Sequence, residues 1–237
     1  MANIMSIHDS KLSGFKRRIL FLLKKYKQIL LMVFFGFIVW LPQMIYWKTM
    51  AGSWLYYSYG TQEGFFFTNP QILNSLFSYH NGWLLYTPIM IFALAGIGLL
   101  YKKRRNYFLP VLIFTVFNIW ILSSWWCWWF VGFGNRAYIE SYALLAIPLA
   151  EFITFVVNYR KRAVRYVFFS VFVFFIFLNS FQVWQYSHQM GHFDGMSKKA
   201  YWSIFLNPKA KGRYYKYLER PDYSKAKKGV YIFGDKE

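Results

Sequence analysis

Arg136 and Glu140 stand four residues apart beside a run of tryptophans, and this pair has the most chemistry within reach. On an α-helix the spacing makes an ordinary i,i+4 ion pair. It equally leaves a guanidinium for a phosphate, whose oxygens it meets with forked hydrogen bonds. Gly132 and Gly134 would let the backbone approach a headgroup closely. Lys48 and His80 are further candidate contacts for a phosphate or headgroup. Glu63 is a carboxylate that can act as a base, bind a sugar hydroxyl, or simply be solvated. Trp54, Tyr59 and Trp128 offer flat faces with a hydrogen-bonding edge, suited to a sugar ring or a lipid tail. The run Trp125-Trp126-Cys127-Trp128-Trp129 also fits an aromatic belt at a membrane surface.

Other ionisable groups carry less. Glu151 falls inside an apolar run, where a charge is expensive, yet it lies near Arg160 and Lys161 and can reach toward them. Asn118 and Asn179, also inside apolar runs, suit interhelical hydrogen bonds. His188 and His192, with Asp194 following, have a metal-binding spacing but no clear third ligand, so no metal is expected. Cys127 is the sole cysteine, which excludes an internal disulfide. The chain has no GxxxxGK[ST], HExxH or GxGxxG string, so no nucleotide or metal cofactor is expected.

The elements that must position these groups are apolar helices. Of 237 residues, 57% are hydrophobic and 24% aromatic, with 28 Lys or Arg against 9 Asp or Glu. That composition excludes an ordinary soluble enzyme and a disordered basic tail. The basic residues form blocks between apolar runs, so nucleic acid is not an expected partner. An all-α integral membrane fold is predicted, with about five spans at 28–47, 83–101, 107–124, 142–159 and 166–186. Residues 1–27 form a basic segment, amphipathic over Phe15–Tyr26, that either lies on anionic lipid or simply flanks the first span. Fifteen Lys or Arg fall before span one, at 102–105 and at 160–165, while the two intervening loops hold only Lys48 and Arg136. Positive charge marks the cytoplasmic side. The prediction is an N-terminus in the cytoplasm, two aromatic-rich loops outside, and a basic C-terminal tail, 187–237, outside with them. The eleven Lys or Arg of that tail run against this placement, although long segments cross regardless of charge.

A family resemblance rests on strings of aromatic and small residues. They are Leu41-Pro42-Gln43-Met44-Ile45-Tyr46-Trp47-Lys48, Gly52-Ser53-Trp54-Leu55-Tyr56-Tyr57-Ser58-Tyr59-Gly60, Glu63-Gly64-Phe65-Phe66-Phe67 with Asn69-Pro70, and Gly82-Trp83-Leu84-Leu85-Tyr86-Thr87-Pro88. Ser123 to Trp129, followed by Gly134-Asn135-Arg136, completes the set. From about Phe15 onward the chain resembles GT-C-type glycosyltransferases, similar to protein mannosyltransferases and to the aminoarabinose and galacturonic acid transferases that modify lipid A.

The resemblance implies transfer of a sugar from a polyprenyl-phosphate donor to an acceptor on the outer face of the cell inner membrane. It also implies a longer enzyme whose catalytic acids lie in a first outer loop. No residue here matches that acid motif, and Glu63 does not inherit the role. The expectation is therefore a C-terminal portion that lacks the catalytic loop, with a separately encoded N-terminal half as a possible partner. Its contribution would be the lipid-donor cavity, without a catalytic residue of its own. The alternatives are a non-catalytic membrane subunit, a decayed gene fragment or a transporter component.

Overall fold

The computed structural model describes residues 14–56, 64–130 and 132–234, and the chain forms two units, 1–60 and 61–237. In the first unit, α1 (Gly14–Lys24) is followed by α2 (Tyr26–Ala51). The 26 residues of α2 rise about 39 Å, more than the roughly 30 Å of a bilayer core. None of them is buried, so its apolar side chains lie bare on every side. Gly52, at φ +72°, ends the helix in the left-handed conformation that suits glycine. Lys48 reaches forward to donate to the Gly52 carbonyl at 2.9 Å.

The second unit is a helical bundle with a cap. Its helices are α3 (Ile72–Phe77), α4 (Trp83–Tyr86), α5 (Met90–Lys103), α6 (Arg105–Ser124), α7 (Tyr142–Val157) and α8 (Arg162–Ser187). A short 3-10 helix, Arg136–Ser141, leads directly into α7. The cap carries α9 (Lys198–Ile204) and α10 (Tyr223–Ala226). Among the described residues there are no strands, only isolated bridges at Phe65–Trp125 and Pro221–Phe233.

α5 is the central helix and packs on α7. Between helices in lipid the hydrophobic effect contributes little, so close backbone approach must hold them together. Ala93 and Gly96 provide it. A Cβ at Gly96 would stand 2.0 Å from the Pro148 carbonyl oxygen. Ile97, Leu100, Val111 and Leu145 close the core around this contact.

Four helices are long and apolar enough to cross a membrane: Tyr26–Ala51, Arg105–Ser124, the run Arg136–Val157, and Arg162–Ser187. The expected fifth, at 83–101, is not one helix. It is broken between α4 and α5, where Thr87 (φ −130°, ψ 65°) precedes Pro88. The proline ring drives the preceding residue out of helical geometry. The 14 residues of α5 then rise only about 21 Å. Ile113, Phe114 and Phe117 on α6 and Val167, Val173 and Phe177 on α8 remain exposed. Such long bare apolar helices are the mark of a multi-pass membrane protein.

The bundle has two chemically different ends. At one, Lys103 lies 3.2 Å and Arg104 3.9 Å from the Glu151 carboxylate, so the 102–105 turn and the α7–α8 turn sit together. Glu151 is thus paired across helices, and its partners are the first basic turn rather than Arg160 or Lys161. At the other end, the 64–82 loop, the 125–135 loop and the tail come together. The Phe66 amide bonds the Ser124 carbonyl at 2.6 Å and the Trp126 amide bonds the Gly64 carbonyl at 3.0 Å. The tail therefore shares an end with both loops of this unit, opposite the two basic turns.

Candidate functional site

Two asparagines build the aromatic end. Asn81 (φ 70°) and Asn135 (φ 48°) adopt left-handed backbone, which asparagine tolerates better than most residues. Each then points a buried amide at the tryptophan run. Asn81 Nδ2 donates to the Trp129 carbonyl at 2.9 Å and to the Phe193 carbonyl of the tail at 2.7 Å. Asn135 Nδ2 donates to the Trp128 carbonyl at 2.9 Å and to Ser75 Oγ at 3.2 Å. Ser75 is in turn 2.9 Å from Tyr138 Oη, and Tyr138 stacks on Trp83 at 4.4 Å. Gly134 has no room for a side chain, since a Cβ would lie 2.7 Å from Tyr86 Cβ.

Arg136 emerges from this locked turn into the open. Its guanidinium lies over the Phe130 ring at 5.5 Å. The ion pair with Glu140 offered by their spacing does not form. The segment is a 3-10 helix with three residues per turn, so residues four apart lie about 120° apart around the axis. Both side chains are exposed, and Arg136 has no ion-pair partner among the described residues.

Beside Arg136 a narrow cleft enters the protein between α8, the Gly132–Phe133 turn and the tail. Tyr86, Phe133, Gln182, Tyr186, His192 and Tyr201 line it, and its volume is about 30 Å³. That is room for a water or two rather than a sugar ring. Arg136 marks its rim: its side chain packs over Gly132, which lines the cleft. Two glutamines from the last turns of α8 reach the tail. Gln182 Nε2 donates to Tyr201 Oη at 2.7 Å, and Gln185 Nε2 donates to the Ile204 and Asn207 carbonyls at 2.7 and 3.0 Å.

The other residues singled out from the sequence are scattered. His80 is buried, stacked on Phe233 at 4.1 Å, with Nδ1 3.3 Å from the Asp194 carbonyl oxygen. Burial lowers its pKa, against the opposing pull of Asp194. Trp128 is also buried, with Trp129 and Phe233 against its ring, so the cap rather than solvent receives its faces. Lys48 and Trp54 belong to the first unit, where the ammonium lies 6.0 Å from the indole and both are exposed. Tyr59 and Glu63 lie outside the described residues.

The histidine pair is split. His188 Nδ1 faces the Trp184 carbonyl at 2.9 Å, while His192 Nδ1 lies 2.9 Å from the Asp194 carboxylate. Burial lowers the His192 pKa, and Asp194 opposes this. Asp194 also accepts from Tyr223 Oη at 2.6 Å, and the desolvated phenol is held above its ordinary pKa. Among the described residues no three His, Cys, Asp or Glu side chains gather around one point.

Gln182, Gln185 and Tyr201 were not singled out from the sequence. The signal was present: two carboxamides three apart, in the last turns of an apolar span, share a helix face and need polar partners. No family model matches the chain, and no curated protein or solved structure matches it.

Proposed function

We propose that the aromatic end of this protein binds the anionic headgroup of a polyprenyl-phosphate sugar, and that the chain serves a GT-C-type glycosyl transfer. In this reading the protein lies in the cell inner membrane with the basic turns in the cytoplasm and the aromatic end and tail on the outer face. One observation carries it: Arg136 stands exposed and without an ion-pair partner among the described residues, at the rim of an aromatic cleft, opposite the basic turns. A guanidinium so placed can fork onto phosphate oxygens. The bare faces of α6 and α8 would lie against the isoprenoid and the surrounding lipid.

Chemically, this end positions a donor and stabilises charge on its phosphate as the glycosidic bond breaks. The base that deprotonates the acceptor comes from elsewhere, because no residue here matches the family's catalytic acids. Transport is less well supported, because Glu151, the acid inside α7, is tied to Lys103 and Arg104.

The test is binding of decyl phosphate to the purified full chain in detergent, read by isothermal titration. Saturable binding that weakens about tenfold or more in Arg136→Gln is expected. Equal binding by wild type and variant would remove Arg136 from the site.

A further inference from the structure

From Gly64 the chain runs past the Ser124 end of α6 and turns into α3. The Phe66 and Gln71 amides bond the Ser124 and Ser123 carbonyls at 2.6 and 2.8 Å. Alternate side chains of an extended segment point to opposite faces. Phe66 packs into the tryptophan cluster, while Phe65 and Phe67 stack on each other at 5.4 Å and stay exposed. Phe67 then meets Trp120 at 4.8 Å, and Trp120 meets Phe117 at 6.1 Å. Phe117 belongs to the bare face of α6. These rings form one ladder from the loop down the side of a helix long and apolar enough to cross a membrane. The 20 residues of α6 rise about 30 Å, the thickness of a hydrocarbon core. Trp120 lies about 6 Å before the end of that rise, so Phe67 packs below the end of the span. α3 presents two faces as well. Ser75 and Leu76 are buried, while Ile72, Leu73 and Phe77 are exposed, Leu73 by 74%.

We propose that residues 65–77 are a membrane-contact surface, seated at the hydrocarbon boundary of the leaflet at the aromatic end, with Phe65, Phe67, Leu73 and Phe77 among the lipid chains. The occupant is lipid because the ring ladder makes this surface continuous with the lipid-facing side of α6. The polar side chains of the segment suit a place short of water. Gln71 Nε2 donates to the Asn69 carbonyl and Oδ1 at 3.2 and 3.1 Å, and Asn74 Nδ2 donates to Gln71 Oε1 at 2.9 Å. The depth is the boundary rather than the core. No side chain caps the first turn of α3 at Gln71, so its leading amides turn to headgroups or water. The buried side of α3 holds the Arg136 turn, since Ser75 Oγ accepts from Asn135 Nδ2. Lipid contact at α3 thereby sets the depth at which Arg136 stands. The proposal needs only that α6 crosses a bilayer, and holds whatever ligand Arg136 takes.

The experiment places single nitroxide labels on the full chain in vesicles of phosphatidylethanolamine and phosphatidylglycerol. Leu73→Cys and Phe77→Cys report on the surface, Phe117→Cys on the span and Ser224→Cys on the cap. All four side chains are exposed, and the wild type, whose Cys127 is buried, serves as the blank. Thermal melting in detergent confirms that each variant is folded. Collisions with oxygen, which concentrates in lipid, are compared with collisions with a water-soluble nickel chelate. Labels at 73 and 77 should favour oxygen, as the label at 117 does, and lose most of the nickel contact seen at 224. Nickel contact at 73 and 77 equal to that at 224, with 117 still favouring oxygen, overturns this proposal and leaves α6 in the membrane. Nickel-dominated collisions at 117 as well would overturn both.

Discussion

Asn179, on α8, donates to the backbone carbonyl of Tyr86 at 2.7 Å. In a continuous helix that carbonyl would accept from Met90, but the Met90 amide bonds Thr87 at 3.1 Å because the chain breaks at Pro88. The asparagine therefore fills the acceptor that the break leaves open, and ties α8 to α4. Asn179→Leu should cost about 1 kcal/mol, a partly buried acceptor stranded in an apolar surround. A fall in the thermal midpoint of the detergent-solubilised protein would show it. An unchanged midpoint would mean that the tie contributes nothing.

Gly96→Ala should be poorly tolerated, because the new Cβ meets the Pro148 backbone, which has no rotamer through which to yield. The expected loss is about 1–3 kcal/mol. Gly98 lies on the same helix with nothing within 4 Å of its would-be Cβ. Gly98→Ala should change stability by less than about 0.5 kcal/mol. Equal melting of the two variants would contradict the α5–α7 packing.

Glu140→Gln should leave both stability and decyl phosphate affinity within error of wild type, since the 3-10 geometry keeps Glu140 from pairing with Arg136. A gain in affinity on removing Glu140 would show that the carboxylate competes for the guanidinium after all.

Acid should loosen the tail. His80 and His192 both sit below the ordinary histidine pKa of 6.5 in the folded protein, chiefly through burial. The unfolded chain then binds more protons in the window from 6.5 downward, and stability falls as pH falls through it. Asp194 faces both rings and Glu219 lies 3.9 Å from His80, which moderates the effect, while Arg220 adds to it at His192. Protection of residues 188–234 against hydrogen exchange, taken relative to the intrinsic exchange rate at each pH, should fall between pH 7 and 5, and His80→Phe, which keeps a ring against Phe233, should flatten the dependence. A slope that His80→Phe leaves unaltered would assign it elsewhere.

Much of this architecture can be read from composition and periodicity. Long apolar runs with basic connectors give the four long helices, because lipid obliges the backbone to satisfy itself helically. The second run read as one span because prolines are common in membrane helices; Pro88 breaks it because the Thr87 geometry and the Asn179 bond make the break self-consistent. The tryptophans were harder. Trp128 reads as an interfacial or sugar-binding platform, but its ring is covered by Phe233, more than a hundred residues downstream, and no local pattern announces that closure. Gln182 is legible as a polar residue on an apolar helix, while its bond to Tyr201 depends on where the tail comes to rest.

The most direct test of the account is the side of the membrane on which the aromatic end lies. Single cysteines in place of Ser224 in the cap and Arg160 at the basic turn, in a Cys127→Ser background, would be labelled in intact cells with a membrane-impermeant maleimide. Labelling at position 224 and not at 160, with both labelled after permeabilisation, is the predicted result. Labelling at 160 and protection at 224 would place Arg136 and its cleft in the cytoplasm, away from the leaflet on which the carrier's sugar is presented, and would contradict the proposed function.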